Sequence, residues 1–351
     1  MSTDDENRLC IVGAGLAAAG MADALSDKPV SVTVLEKSRG VGGRAATRRR
    51  NGCRYDHGAN YIKDSDERTR ELLESLGTDG LVDIDAPVWP FDSDGTISES
   101  ERPEAHKWTW EAGITQLAKR LFGRTDAEIR KETRVDALRE EPAGWTLSDT
   151  DGTTHGPFDA VVLTPPAPQT ADLLRATELI DGDGDLAAAT DAVDQVPYRT
   201  IRSLLLHYPF EIDRPYYALV NNDRDHDIGW LARESCKPGH IPTGEELLVV
   251  QMAPDWSTAN YDMPLDDAAT EIAAKAAQLL DDDRLTEPDW VDDQGWRYAL
   301  PDAGVDGEAI EPLEAHGLYV AGDWVVGEPR AHEALWCGVD VGERLAAALF
   351  D

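Results

Sequence analysis

The run Gly13-Ala14-Gly15-Leu16-Ala17-Ala18-Ala19-Gly20 has the residue types and spacing to hold a dinucleotide. Gly13 permits a tight turn. Gly15 lets backbone approach a pyrophosphate, which then rests on the positive end of the following helix. Ala18 stands where a third glycine often lies, and alanine still allows close helix packing. Glu36 comes 21 residues after Gly15, where a carboxylate can accept from ribose hydroxyls. An acid there disfavours a 2′-phosphate, so FAD or NAD is expected rather than NADP.

Lys37-Ser38-Arg39-Gly40-Val41-Gly42-Gly43-Arg44 follows directly. Gly42 and Gly43 can bring N–H groups to an anion, and Arg44 adds a planar donor fork. Tyr55-Asp56-His57-Gly58-Ala59-Asn60-Tyr61 is a second polar, glycine-containing stretch. Near the far end, Gly322-Asp323 places an acid after a short apolar run, where it can accept from a sugar-like polyol.

Other groups invite chemistry and also have plainer readings. His57 and His332 are candidate acid–base groups, and equally hydrogen-bonding or capping residues. Asp181, Asp183 and Asp185 imitate the start of a calcium loop. Leu186 then stands where glycine is needed and Ala192 where a bidentate Glu should be, so a solvated acidic turn is expected. Trp108, Trp110, Trp230, Trp296 and Trp324, with Tyr61 and Tyr298, could wall a flat substrate, although aromatics more often fill cores. Arg199, Arg202, Arg233 and Arg297 could bind nucleotide phosphates or pair with the abundant acids. Cys10, Cys53, Cys236 and Cys337 show no C-x-x-C spacing, and the histidines have no metal-ligand spacing, so no metal is expected.

The elements that must position these groups can be outlined. Leu9–Val12 and Val30–Leu35 read as strands around a helix at Leu16–Leu25, a βαβ unit. Trp145–Leu147, a turn at Asp151-Gly152 and a strand at Phe158–Leu163 follow a helical pattern at Gly113–Leu121. Strands are expected at Ile201–His207, Leu247–Met252 and Gly317–Gly322, and helices at Ala268–Leu280 and Ala331–Leu349. The fold class is therefore α/β: a discontinuous Rossmann-type dinucleotide-binding domain (1–60, 105–166 and 286–351), which the resemblance given below makes an FAD-binding domain, with an inserted α+β substrate domain (61–104 and 167–285).

The 351 residues are 41% hydrophobic, enough for a sizeable core. There are 68 acidic and 33 basic residues, a formal net charge of −35. Such a surface excludes coating nucleic acid or docking on anionic membranes. The balance of 42 Asp and 26 Glu against 25 Arg and 8 Lys resembles proteins of halophilic archaea. Met-Ser-Thr-Asp-Asp-Glu at the N-terminus lacks the basic start of a signal peptide. Leu9–Ala22 is shorter than the ~20 residues of a membrane span. A cytoplasmic protein is expected.

Three stretches, 36–49, 55–61 and 321–324, together with 163–169 and 296–301, resemble the FAD-dependent amine oxidase superfamily, and within it the renalase-like branch. The resemblance implies the amine-oxidase/glutathione-reductase-like fold and non-covalent FAD, since no cysteine lies between Cys236 and Cys337. It implies that Gly13, Gly15 and Arg44 hold the pyrophosphate, Glu36 the ribose, Val135 the adenine and Asp323 the ribitol. Ala18, Lys37, Gly42, Gly43, Gly322 and His332 complete the expected cofactor set. Tyr61, Arg202, Arg233, Trp296, Tyr298 and Trp324 are the expected substrate residues. The implied reaction is hydride transfer from a small reduced molecule, an isomeric dihydronicotinamide nucleotide, to flavin N5, with O2 returning as H2O2. Oxidation of an amine or desaturation on the same fold, and a flavin-binding redox sensor without turnover, are the alternatives.

Overall fold

The computed structural model describes residues 7–63, 66–100 and 105–350; the acidic N-terminal hexapeptide lies outside them. The chain divides into two compact units: Met1–Arg44 with Leu117–Tyr198 and Leu300–Asp351, and Ala45–Gln116 with Arg199–Ala299.

The first unit is built on a five-stranded parallel sheet. Its strands run in the order Leu318–Val320, Ala160–Leu163, Asn7–Val12, Val30–Leu35, Glu128–Arg130. Leu9 to Val12 and Ala160 to Leu163 are buried throughout, which is why they read as unbroken apolar runs. The helix Leu16–Ala24 has seven buried residues, all small or apolar. The terminal helix Ala331–Phe350 packs tightly on it: a Cβ at Gly338 would lie 1.9 Å from the Ala17 carbonyl oxygen. Only glycine allows that approach.

A second sheet in this unit joins Thr154–Phe158, Gly144–Asp149, Val135–Glu141 and Thr177–Glu178. The apolar run Phe158–Leu163, expected as one strand, is therefore divided between two sheets at Asp159. Phe158 pairs with Trp145, while Ala160 pairs with Leu9. The expected acidic turn is also corrected. Asp183 and Asp185 occupy the first turn of the helix Asp183–Asp194, where carboxylates face the positive end of the helix.

The second unit holds a six-stranded sheet in the order Trp290–Pro301, Tyr198–Tyr208, Glu246–Met252, Ile228–Arg233, Ala218–Asn221, Val88–Phe91. Side chains alternate faces along a strand, and both faces are covered. Leu204, Leu206, Leu248 and Val250 pack with Ala268, Ile272, Ala273 and Ala276 of the helix Leu265–Leu280. Leu205, Leu247 and Val249 pack on the other side with Cys53, Tyr55 and Tyr217. A hairpin, Thr47–Arg50 with Cys53–Asp56, turns at Asn51-Gly52. A small sheet joins Ile62–Lys63, Lys107–Trp110 and Leu81–Asp83.

The division differs from the expected domain boundaries at 60, 105, 166 and 286. The hairpin, the strand Lys107–Trp110 and most of Trp290–Pro301 pair within the second unit. The helices Ala167–Arg175 and Asp183–Asp194 cover the Trp145 core of the first.

Candidate cofactor cradle and substrate-facing residues

In the first unit the dinucleotide loop is held from three sides. Gly13 has φ +97° and donates to the Leu35 carbonyl at 2.8 Å. A Cβ there would lie 2.7 Å from Thr164 Oγ1, so both conformation and space demand glycine. Gly15 is the N-cap of the helix Leu16–Ala24, with no side chain capping it, and a Cβ at Gly15 would point into open space. The first-turn N–H groups thus face an opening suited to an anion.

Glu36 is buried and closes the loop. Oε2 accepts from Ala14 N at 2.7 Å and Oε1 from Ser38 N at 2.7 Å. A carboxylate offers about four acceptor positions, so each oxygen keeps capacity for a hydroxyl. Thr133 N donates to the Glu36 carbonyl at 2.9 Å, which brings the segment leading to Val135 beside the acid. Gly42 N donates to the Ala14 carbonyl at 2.8 Å, and a Cβ at Gly43 would lie 3.3 Å from Gly15 Cα. The Gly42-Gly43 pair is therefore packed on the loop. Lys37 Nζ donates to Gln169 Oε1 at 3.0 Å. Ala18 is fully buried in the helix.

Arg44 and Asp323, 279 positions apart, form an ion pair at 2.7 Å. Burial works against the Arg44 charge, and Asp323 more than offsets it, so the guanidinium is held more firmly protonated. Asp323 opens a short helix after Gly322, whose N–H meets Cys337 Sγ at 3.4 Å. His332 is buried at the start of the terminal helix, with Nε2 3.4 Å from Glu333 Oε1. These residues fit an extended dinucleotide on four counts: an open helix end, glycine-only turns, a carboxylate with spare acceptor capacity and an arginine beside an acid.

Trp324 does not fit its expected substrate role. It is fully buried in the core of the first unit, with Nε1 donating to the Pro165 carbonyl at 3.0 Å.

The second unit places Tyr55–Tyr61 around a closed charge cluster. Asp56, Glu234, Lys237 and His240 are all fully buried. Lys237 Nζ donates to Asp56 Oδ2 at 2.9 Å and to Glu234 Oε1 at 3.0 Å. Asp56 Oδ1 accepts from Thr47 Oγ1 at 2.7 Å and Ile114 N at 3.0 Å. Burial pushes the Asp56 carboxyl up, but Lys237 and His240 outweigh it and hold it below the usual carboxylate range. Burial alone would lower Lys237; Asp56 and Glu234 raise it instead.

His57 stacks on Trp296 with ring centres 5.4 Å apart and 8° between planes. Trp296 Nε1 donates to the His57 carbonyl at 2.9 Å. Burial, and then Arg48, lower His57 to about 4, so its ring is neutral at pH 7. Its Nδ1 has no hydrogen-bond partner. Tyr61 lies 6.2 Å from both Tyr217 and Trp230. Tyr217 Oη, Trp230 Nε1 and Asn60 Oδ1 are also buried without partners. Gln251 Nε2 and Asn60 Nδ2 both donate to the Gly58 carbonyl. Orphaned polar atoms around aromatic faces mark a surface that water or a ligand completes. Tyr217 was missed in the sequence because a buried tyrosine in an apolar strand has no distinguishing local pattern. Tyr298 is half-buried on the strand Trp290–Pro301.

Arg202 and Arg233 are corrected as phosphate binders. Arg202 is buried and binds Asp293 Oδ2 through Nε and Nη2, and the Asn260 and Met263 carbonyls through Nη1. Arg233 binds Glu246 and the carbonyls of Arg214 and Tyr216. All three Arg202 nitrogens, and Nε and Nη1 of Arg233, are engaged with protein, so both arginines brace the sheet. Arg297 stacks over Tyr261 at 4.3 Å.

Among the described residues no helix is long and apolar enough to cross a membrane. An NAD(P)-binding Rossmann-like domain model matches residues 11–76. The chain is similar to protoporphyrinogen oxidase 2, chloroplastic/mitochondrial, of Arabidopsis thaliana, at 34% identity over 70 residues. That match spans 20% of this chain and only 14% of the relative. The fold is shared with a solved structure from Exiguobacterium sp. 255-15, provisionally described as a protoporphyrinogen oxidase. There the TM-score is 0.77 at 16% identity, covering 99% of this chain and 100% of that one. It is shared also with cyclohexylamine oxidase from Brevibacterium oxydans IH-35A, with TM-score 0.71 and 15% identity over 98% of each chain. The model described as flavin containing amine oxidoreductase matches residues 95–334, more than half of the sequence, and the chain belongs to that family of flavin-dependent oxidoreductases.

Proposed function

We propose that this chain binds FAD non-covalently and oxidises a small, flat, reduced substrate, as in the renalase-like branch of its superfamily. The leading candidate is an isomeric dihydronicotinamide nucleotide. The single observation that carries the cofactor reading is Glu36, bridged to Ala14 N and Ser38 N at 2.7 Å beside an uncapped helix end. Gly13 and Gly15 would face the pyrophosphate, with Arg44 as its cation. Glu36 would take the adenosine ribose, Val135 the adenine and Asp323 the ribitol.

FAD, when bound, supplies a two-electron acceptor for a hydride. The overall balance is a hydride from substrate and a proton from solvent passing to O2, which leaves as H2O2. A dihydronicotinamide becomes aromatic on losing hydride, so the protein needs no base to take a proton from it. His57, neutral and stacked on Trp296, fits that demand: it offers a flat apolar face. Tyr61, Tyr217 and Trp230 would supply stacking and keep water out.

An amine is the second reading, and two observations favour it. The net charge of −35 repels an anionic nucleotide, and Arg202 and Arg233 are committed to internal partners. The acid excess itself we read as adaptation to concentrated salt. A cytoplasmic setting agrees with four free cysteines.

The test is anaerobic. The yellow protein is mixed with isomeric dihydronicotinamides, then with primary amines, while flavin absorbance is followed. Bleaching by a dihydronicotinamide supports the first reading, and bleaching by amines alone replaces it with the second. Absence of flavin from the purified protein defeats both.

A further inference from the structure

Cys53, His207 and Glu245 come from distant parts of the sequence and converge in the second unit. Cys53 Sγ, one ring nitrogen of His207 and a Glu245 carboxylate oxygen lie within 4.8 Å of one another. Strand alternation explains the convergence. His207 follows Leu205 by two residues, and Glu245 precedes Leu247 by two. His207 therefore falls on the sheet face that packs against Cys53 and Tyr55, and Glu245, just before the strand Glu246–Met252, reaches the same side. His207 Nε2 is 2.9 Å from Glu245 Oε2. Nδ1 has no hydrogen-bond partner and lies 3.5 Å from Asp289 Oδ2. Asp289 is anchored by its N–H to the His207 carbonyl at 2.8 Å. Trp290 stacks on the ring at 4.9 Å and 10°, which fixes its orientation.

We propose that Cys53, His207 and Glu245 form a binding site for a divalent transition-metal ion, zinc suiting the donor set best, with Asp289 orienting His207 from behind. Thiolate, imidazole and carboxylate are all zinc ligands, and three protein ligands leave a fourth position to water. Asp289 Oδ2, 3.5 Å from Nδ1, stands on the side from which an outer carboxylate would accept from a zinc-bound imidazole, and a small side-chain movement would complete that bond. Binding breaks the Cys53 S–H bond and forms an S–metal bond, and the proton leaves to solvent. In the metal-free protein His207 Nε2–H faces Glu245 Oε2; on binding, that ring proton passes to Nδ1, 3.5 Å from Asp289 Oδ2, and Nε2 gives its lone pair to the metal. One thiolate and one carboxylate neutralise the dication. Glu245 is 35% exposed and opens a path from solvent, while Cys53 and His207 are buried.

Asp56, Glu234 and His240 cluster equally closely but carry no such site. The Lys237 ammonium, 2.9 and 3.0 Å from the two carboxylates, already fills the cation's place.

The full-length flavoprotein, dialysed against chelator, is loaded with zinc sulfate and freed of excess. Zinc per chain and the zinc X-ray absorption spectrum are then measured. We expect about one zinc per chain, with one sulfur at about 2.3 Å and lighter ligands at about 2.0 Å. Cys53→Ser should remove the sulfur, and Cys236→Ser should leave it. Asp289→Asn should weaken zinc binding about 10–100-fold, and Glu245→Gln should weaken it as well. An all-nitrogen/oxygen shell, a stoichiometry far below one, or a sulfur that survives Cys53→Ser overturns the site. If Cys53→Ser does not fold, unchanged zinc affinity in both Asp289→Asn and Glu245→Gln overturns it.

Discussion

The Gly13–Glu36 loop of the first unit and the Asp56–Lys237 cluster of the second both gather polar groups around a buried carboxylate, yet they end differently. Each Glu36 oxygen takes one backbone N–H, and the space above Gly15 is open. Asp56 is met by Thr47, Thr109, Ile114 and Lys237, and no solvent reaches it. A carboxylate meant for a ligand keeps acceptor capacity and an approach; one that holds a fold together is surrounded by the protein's own donors.

Lys237→Met breaks the closed region most severely. It leaves Asp56 and Glu234 buried without their cation, and a loss of about 3–5 kcal/mol in unfolding free energy is expected. Urea denaturation measures it, and a loss below about 1 kcal/mol would mean that the cluster is wetter than its burial indicates.

His57 probes the border of that cluster through pH. Its pKa falls from 6.5 unfolded to about 4 folded. Below 6.5 the unfolded chain binds a proton that the folded chain refuses, so stability falls as pH drops from 6.5 toward 4. The shift corresponds to a contribution of the order of 3 kcal/mol across that window. His57→Asn should flatten this part of the curve of melting temperature against pH; an unchanged slope would assign it to other groups.

Gly13→Ala tests the open region. A side chain at φ +97°, 2.7 Å from Thr164 Oγ1, should cost about 1–3 kcal/mol of strain and lower the flavin content of purified protein. Full flavin occupancy with wild-type stability would contradict the cradle. Glu36→Gln is gentler, because Gln still offers one acceptor. We expect flavin dissociation roughly tenfold easier, about 1.4 kcal/mol, with little change in melting temperature. Equal retention would remove Glu36 from the ribose.

Salt gives the smallest effect. Screening should improve flavin retention at molar salt over low ionic strength if the charge of −35 destabilises the protein by self-repulsion. Equal retention in an ultrafiltration assay would separate the acid excess from cofactor binding.

The loop was legible because its requirements are local. A tight turn, a helix start and an acid at the end of the next strand all fall within 13–36, and each constrains residue type directly. Arg44 and Asp323 were legible as separate anion- and polyol-facing groups, but not as partners, since 279 positions separate them. The hairpin Thr47–Asp56 carried a readable turn signal in Asn51-Gly52 that the domain outline passed over. Arg202 and Arg233 misled for the opposite reason: an arginine's type says that it needs acceptors, and only packing says whether protein or ligand provides them.

The α/β class, the dinucleotide loop, the family and the acid excess were all readable from the residues, because they rest on short-range pattern and composition. Tertiary structure decided which charges close on one another. Lys237 reaches Asp56 across 181 positions, and His207 meets Cys53 only because strand alternation turns His207 to the sheet face on which the hairpin carrying Cys53 packs. Burial and pairing are properties of register and packing, and no local spacing encodes them.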